Sequence, residues 1–197
     1  MKIFNSLDTI ENMPKTAVAL GNFDGVHKGH MELIKTAVTK ASRSTSQGIP
    51  MRPCVFTFSN NPRNLIPGKK EVKNIIYQDE KEKLIQETGI EYLVNVPFTE
   101  EIMTMSPERY VREILVEKLN AGEVICGFNH RFGFRAEGNT KLLKELGQKY
   151  GWKVFLPPFK FTTDNAAMIG IVGQYKYQDQ DFCPFDAPAF ARVTDKF

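Results

Sequence analysis

Apolar positions along the chain change their period repeatedly, and each change marks an element. Residues 16–23 (TAVALGNF) form a continuous apolar run of strand length, whereas residues 30–42 put Ile34, Ala37, Val38 and Ala41 on one face at helical spacing. Residues 51–58 (MRPCVFTF) predict a second strand, followed by a Pro/Asn/Gly-rich loop reaching Gly68. Residues 78–88 read as helix with Gly89 placed to end it, and residues 90–96 as a third strand. Ser106 and Pro107 offer a hydroxyl cap and a proline at the first helical position. The stripe Tyr110, Val111, Ile114, Leu115 and Leu119 follows, closed by Gly122. A fourth strand is expected at 123–127, a helix at 140–150 with Leu142, Leu143 and Leu146 inward, and a fifth strand at 152–156 with Trp152 as a core anchor.

Strand and helix thus alternate. Parallel neighbours need crossover helices, so this rhythm predicts an α/β fold with a doubly wound parallel sheet and a ligand site at the carboxyl ends of the strands. Those ends are Phe23, Phe58, Val96 and Gly127. After Pro158 the rhythm stops, and scattered aromatics with Gly and Pro breaks take over. Residues 1–160 therefore read as the domain, and residues 161–197 as an irregular C-terminal tail.

Length and composition narrow this picture further. At 197 residues there is room for one full core, and 42% hydrophobic with 25% charged residues is ordinary globular usage. No apolar run approaches the roughly 18 residues of a membrane helix, and residues 1–10 lack a signal peptide's pattern, so no membrane partner and a cytoplasmic location are expected. Cys54, Cys126 and Cys183 are odd in number and far apart, which argues for reduced, mostly buried thiols and against a zinc site. The net charge of +3 divides into +5 over residues 1–160 and −2 beyond. Such an excess suits phosphorylated small molecules but lacks the dense Lys/Arg stripe of a nucleic-acid binder.

Chemistry concentrates where the first strand ends, in Gly21-Asn22-Phe23-Asp24-Gly25-Val26-His27-Lys28-Gly29-His30. Glycines at 21, 25 and 29 permit tight turns and close approach of a ligand to the backbone, and the amides and dipole of a new helix attract anions. His27 and His30 stand three apart at the helix start, so both imidazoles can face one point above the first turn and donate to phosphate oxygens. With an ordinary pKa of about 6.5, each could also gain charge beside an anion. Asp24 has two readings, a contact to a loop amide and a contact to nucleotide.

This string resembles the nucleotide-binding signature of the bacterial riboflavin kinase/FMN adenylyltransferase (FAD synthetase) family, within the H-x-G-H nucleotidylyltransferase superfamily. Residues 56–63 (FTFSNNPR), Ser106-Pro107-Glu108 and residues 127–133 (GFNHRFG) agree in order and spacing, over about residues 1–158. The resemblance implies a Rossmann-like sheet and transfer of AMP from ATP to FMN with Mg²⁺, giving FAD and pyrophosphate. It assigns catalytic positions to His27, His30, Asn22 and Lys28. Nucleotide positions fall on Gly21, Phe23, Asp24, Gly25, Gly29 and Asn129, and flavin positions on Phe58, Asn61, Pro62, Arg63, His130, Arg131 and Phe132.

Three departures stand against it. Asn61-Pro62 occupies the place of His-Pro, and His130 that of an aromatic before Arg-Phe-Gly. Beyond Pro158 the expected hydroxyl-rich segment ending in arginine is matched only by Thr162-Thr163-Asp164, with no arginine before Arg192, and no riboflavin kinase signature is present. Two alternatives therefore remain open: a catalytically weak flavin- or nucleotide-binding protein, and a nucleotidylyltransferase using another phosphorylated acceptor.

Overall fold

A computed structural model describes residues 1–68, 71–157, 173–174, 176–178, 180 and 182. The chain divides into two units, Met1–Thr163 and Asp164–Phe197. Of the second unit, residues 173–174 and 176–178 are helical, and the rings of Tyr177 and Phe182 meet edge to face at 5.9 Å.

The first unit holds six strands: β1 (Lys2–Phe4), β2 (Thr16–Leu20), β3 (Arg52–Phe58), β4 (Tyr92–Val96), β5 (Ala121–Cys126) and β6 (Lys153–Phe155). They form one sheet in the order β1-β4-β3-β2-β5-β6, and every pair is parallel. The crossovers carry α1 (Lys28–Ser46), α2 (Gln78–Gln86), α3 (Glu100–Thr104), α4 (Pro107–Tyr110) and α5 (Thr140–Tyr150). A π-helix (Val111–Lys118) continues α4.

Every residue of β2 is buried, and its alternation sorts the two layers. Val18 and Leu20 join Phe56, Val124, Cys126 and the apolar side of the π-helix on one side. Ala17 and Ala19 lie with Leu33, Ile34, Ala37 and Ala41 of α1 on the other, where small residues let helix and strand approach closely. Each fully buried Leu or Ile in these layers contributes roughly 1.5–3 kcal/mol of burial free energy.

The doubly wound sheet is as expected, and the differences lie at the edges of elements. β1 and α3 were not foreseen; three and five residues are too short to establish a period. Gly122 lies inside β5, and the turn before that strand is made by Asn120, in the left-handed region at φ 45°. Asparagine tolerates that conformation better than most residues. Trp152 is a core anchor, 4% exposed. Cys54 and Cys126 are buried free thiols, with burial raising both pKa values, that of Cys126 to about 12. Cys183 lies outside the described residues. No helix among the described residues is long and apolar enough to cross a membrane.

Candidate active site

The order of the strands places β2 between β3 and β5, so the chain leaves β2 toward one side of the sheet and later returns on the other. That is the switch point of a doubly wound sheet, where ligands bind beyond the carboxyl ends. Leu20 is in register with Phe56 and with Cys126, so the segments after β2 and β5 emerge side by side.

The segment after β2 is tightly folded. Phe23 adopts the left-handed region (φ 50°, ψ 28°), Gly25 follows at φ 75° and Val26 at φ 35°. Left-handed backbone in a β-branched or bulky residue costs on the order of 1–3 kcal/mol and persists only where its surroundings over-determine it. Here Phe23 is fully buried and packs edge to face on His30 at 5.2 Å, while a Cβ on Gly21 would lie 3.0 Å from the Phe23 ring. Phe23, expected at the nucleotide, is thus a core residue, and it acts by supporting His30 from below. Gly21 is glycine because the ring folds beneath it.

Asp24 holds a loop amide: its Oδ1 accepts from the N–H of Ile75 at 2.7 Å. Asn22 sits where the strand ends, and its carbonyl accepts from Thr57 Oγ1 at 2.8 Å and from Lys81 Nζ at 2.9 Å. Lys28 is exposed at the first position of α1, and Gly29 is buried in the first turn.

His27 is the N-cap of α1, and its Nδ1 accepts from the amides of Gly29 (3.1 Å) and His30 (3.3 Å). These two amides of the first turn are thus paired with the imidazole of their own cap. The same geometry fixes the tautomer: an Nδ1 that accepts carries no proton, so the neutral ring bears it on Nε2. The His30 ring stacks on that of His27 with centroids 3.6 Å apart and planes 25° from parallel. Its Nδ1 is buried without a hydrogen-bond partner, and an orphaned buried N–H is the costlier state, so Nε2 carries the proton there too. Desolvation by burial, then the charges of His27 and Lys81, lower the His30 pKa to about 3. Without an anion beside it, His30 is therefore a neutral donor at ordinary pH.

The loop after β5 is more open. Asn129 is exposed, with its Oδ1 folded back so that a Cβ on Gly127 would lie 3.3 Å away. Arg131 is exposed, and His130 is half-buried, its ring stacked on Phe132 at 5.9 Å. His130 Nε2 is buried without a partner, and desolvation lowers its pKa to about 4. Phe132, expected at the flavin, is 6% exposed and packs on Tyr110 at 5.3 Å, so it forms the floor of this loop.

On the β3 side, Phe58 is half-buried between Phe56 (5.3 Å) and Phe98 (4.9 Å). Asn61, another expected flavin contact, is 8% exposed, and its Oδ1 caps a short turn by accepting from the Arg63 amide at 3.1 Å. Pro62 and Arg63 follow, half-buried and exposed. Thr162, Thr163 and Arg192 lie outside the described residues. Sequence reasoning missed Lys81 and Thr57. A lysine on an amphipathic helix reads as exposed, and only the alternation of α2 with Ile85 hinted that position 81 faces inward.

A parallel sheet with a strained, glycine-bearing loop and a stacked pair of imidazoles at a helix start defines a Rossmann-like α/β protein of the nucleotidyltransferase type. The FAD synthetase family model matches residues 9–167, and the chain belongs to that family. The chain is 30% identical over 155 residues to a bifunctional riboflavin kinase/FMN adenylyltransferase of Buchnera aphidicola, which covers 78% of this chain and 48% of that protein. It therefore spans about half the length of the curated relatives it matches over most of its length. A shorter likeness, 48% identity over 77 residues, is to a tRNA N6-adenosine threonylcarbamoyltransferase of Phocaeicola vulgatus, covering 39% of this chain and 21% of that protein. Among solved structures, a crystal structure titled macrolide-efflux protein from Streptococcus pneumoniae superposes with a TM-score of 0.68 at 21% identity. It covers 85% of this chain and 54% of that one, and shares the fold.

Proposed function

We propose that the chain transfers AMP from ATP to FMN, forming FAD and pyrophosphate. A phosphate oxygen of FMN attacks the α-phosphorus of ATP in line, the bond from that phosphorus to the bridging α–β oxygen breaks, and pyrophosphate leaves with the electron pair. The observation that carries this reading is the stacked His27–His30 pair at the switch point, in a chain matched by the FAD synthetase model. The two Nε2–H groups and the Lys28 ammonium offset charge on the triphosphate as it builds, the kind of preorganised electrostatic help that dominates such transfers. Asn22 and Asn129 position nucleotide and acceptor phosphate from the two adjacent loops. Gly21, Gly25 and Gly29 let the backbone close around the triphosphate, and Asp24 holds the loop. On the acceptor side Phe58, Pro62, Arg63, His130 and Arg131 face the flavin, with Asn61 and Phe132 supporting them from behind.

Among the described residues no group of three or more His, Cys, Asp or Glu side chains could hold a metal ion. The described residues thus hold no carboxylate-rich cage for the Mg²⁺ that the resemblance implies, and an ion carried on the phosphates of ATP needs none. The reaction is assigned to residues 1–160, in a cytosolic setting, without nucleic-acid or membrane partners.

Purified chain incubated with ATP, Mg²⁺ and FMN should yield FAD and pyrophosphate in equal amounts by chromatography. Riboflavin, which has no phosphate oxygen to attack, should yield none. Binding of ATP and FMN by calorimetry without any FAD would replace this reading with that of a binding protein, and product from other phosphate esters alone would change the acceptor.

A further inference from the structure

Lys81 is a lysine in an unusual place. It lies on α2, is 3% exposed, and its Nζ donates to two backbone carbonyls, Asn22 O and Phe58 O, each at 2.9 Å. These carbonyls terminate neighbouring strands, one entering the loop that carries the histidines and the other entering the loop after β3. Thr57 Oγ1 donates to the same Asn22 oxygen at 2.8 Å, so the peptide between Asn22 and Phe23 is held by two donors. That peptide leads directly into the left-handed Phe23 whose ring supports His30.

Resting on the proposed adenylyl transfer, we propose that Lys81 is a positioning residue: an internal ammonium strut that locks the strained loop to the end of β3 and so sets the position of His30. Three features support it. A buried ammonium is costly, and here two carbonyl partners at 2.9 Å offset that cost. Its charge faces His30 from α2, opposing protonation of that ring. It also faces Asp24 of the β2 loop and Glu82 of its own helix, whose charges partly offset burial; desolvation still lowers its pKa to about 8. His27 and His30 on α1, Asp24 and Glu82 all ionise below neutrality in ordinary peptides, which leaves Lys81 as the group of this set that titrates between pH 7 and 10.

The sign follows. The unfolded chain holds the lysine proton more firmly than the folded one, so between about pH 8 and 10.5 stability gains from this group while its charge disappears. Loss of activity in that window is then a loss of positioning and not of fold.

The test follows the His30 ring by NMR and FAD formation by chromatography, in the wild type and in Lys81→Met and Lys81→Arg. Lys81→Met should raise the pH at which His30 titrates by about one unit and lower kcat on the order of 10–100-fold, with KM for FMN changed less than about threefold. Lys81→Arg, which keeps a charge that does not titrate here, should restore the low His30 titration and part of kcat. The wild type should lose kcat above pH 8 without loss of melting temperature, and this measurement decides the matter if Lys81→Met fails to fold. A folded Lys81→Met that keeps both the wild-type His30 titration and the wild-type kcat overturns the proposal. If the wild type makes no FAD, the adenylyl transfer reading fails separately, and the change of the His30 ring signals as Lys81 loses its proton across pH 7–10, with the acid titration of His30 in the variants, still judges Lys81.

Discussion

Two loops rise side by side from β2 and β5, and each contains left-handed residues. In the first, Phe23 and Val26 are buried, 0% and 7% exposed, and the carbonyl before them is held by Thr57 and Lys81. In the second, Gly133, Arg135 and Ala136 take positive φ, and Arg135 and Ala136 are exposed. That loop is held mainly by backbone pairing between Phe132 and Gly138 (2.9 and 3.2 Å) and from the Phe134 amide to Met105 O (2.6 Å). The contrast separates two ways of fixing a site. One loop is braced by side chains from two other elements, β3 and α2, and delivers rings in fixed orientation; the other is pinned through its backbone and leaves polar side chains turned outward. The first suits groups that must be preorganised for charge development, and the second suits groups that adapt to an acceptor.

The comparison can be broken most severely at His30. His30→Ala should lower FAD formation by on the order of 10²-fold or more, with Phe23 left without its ring partner. Wild-type turnover in that variant would remove the braced loop from the chemistry.

A second pair of variants divides the two tasks of His27. His27→Asn retains a cap acceptor and loses the imidazole, so turnover should fall about tenfold or more while urea unfolding stays near wild type. His27→Ala loses both, adding about 1 kcal/mol of destabilisation. Equal unfolding midpoints for the two variants would show that Nδ1 does not cap α1.

The second loop is probed by Gly138→Ala. A Cβ there would lie 2.6 Å from Phe132 O, so the backbone pair must open, at about 1–3 kcal/mol, with KM for FMN rising more than KM for ATP. A rise confined to ATP would exchange the two loops' roles.

Acid stability probes both loops together. His30 and His130 have folded pKa values of about 3 and 4, below the ordinary 6.5, so the unfolded chain takes up protons first as pH falls. Stability then drops with pH from about 6.5 downward, and His30→Ala should show a shallower drop over pH 6.5 to 4 than the wild type in denaturant titrations.

How much of this could be read from the sequence depends on which residues signal their environment. Helix α5 has the bounds that its Leu periodicity predicts, with Asn139 Oδ1 capping it through the amides of Lys141 and Leu142. Helix α1 begins two residues before the expected His30, because its cap is a histidine and the usual Ser, Thr, Asp or Asn signal is missing. The strand-to-helix loop was legible as a site because its glycines and histidines are rare in combination. Phe23 and Phe132 were not legible as supports, since an aromatic beside a ligand and one beneath it have the same sequence pattern. Lys81 was hidden for a related reason: burial of a cation depends on carbonyls 59 and 23 positions away, which no local period reports.

The 19 residues of α1 make a rod about 28 Å long whose first turn carries both imidazoles and whose body rests on Ala17 and Ala19 of the central strand. Such a rod is a lever with its fulcrum on two methyl groups. Enlarging Ala37 or Ala41, well away from any substrate, would tip the rod and swing the imidazole pair out of line. Core positions far along this helix therefore bear on where the imidazole pair points.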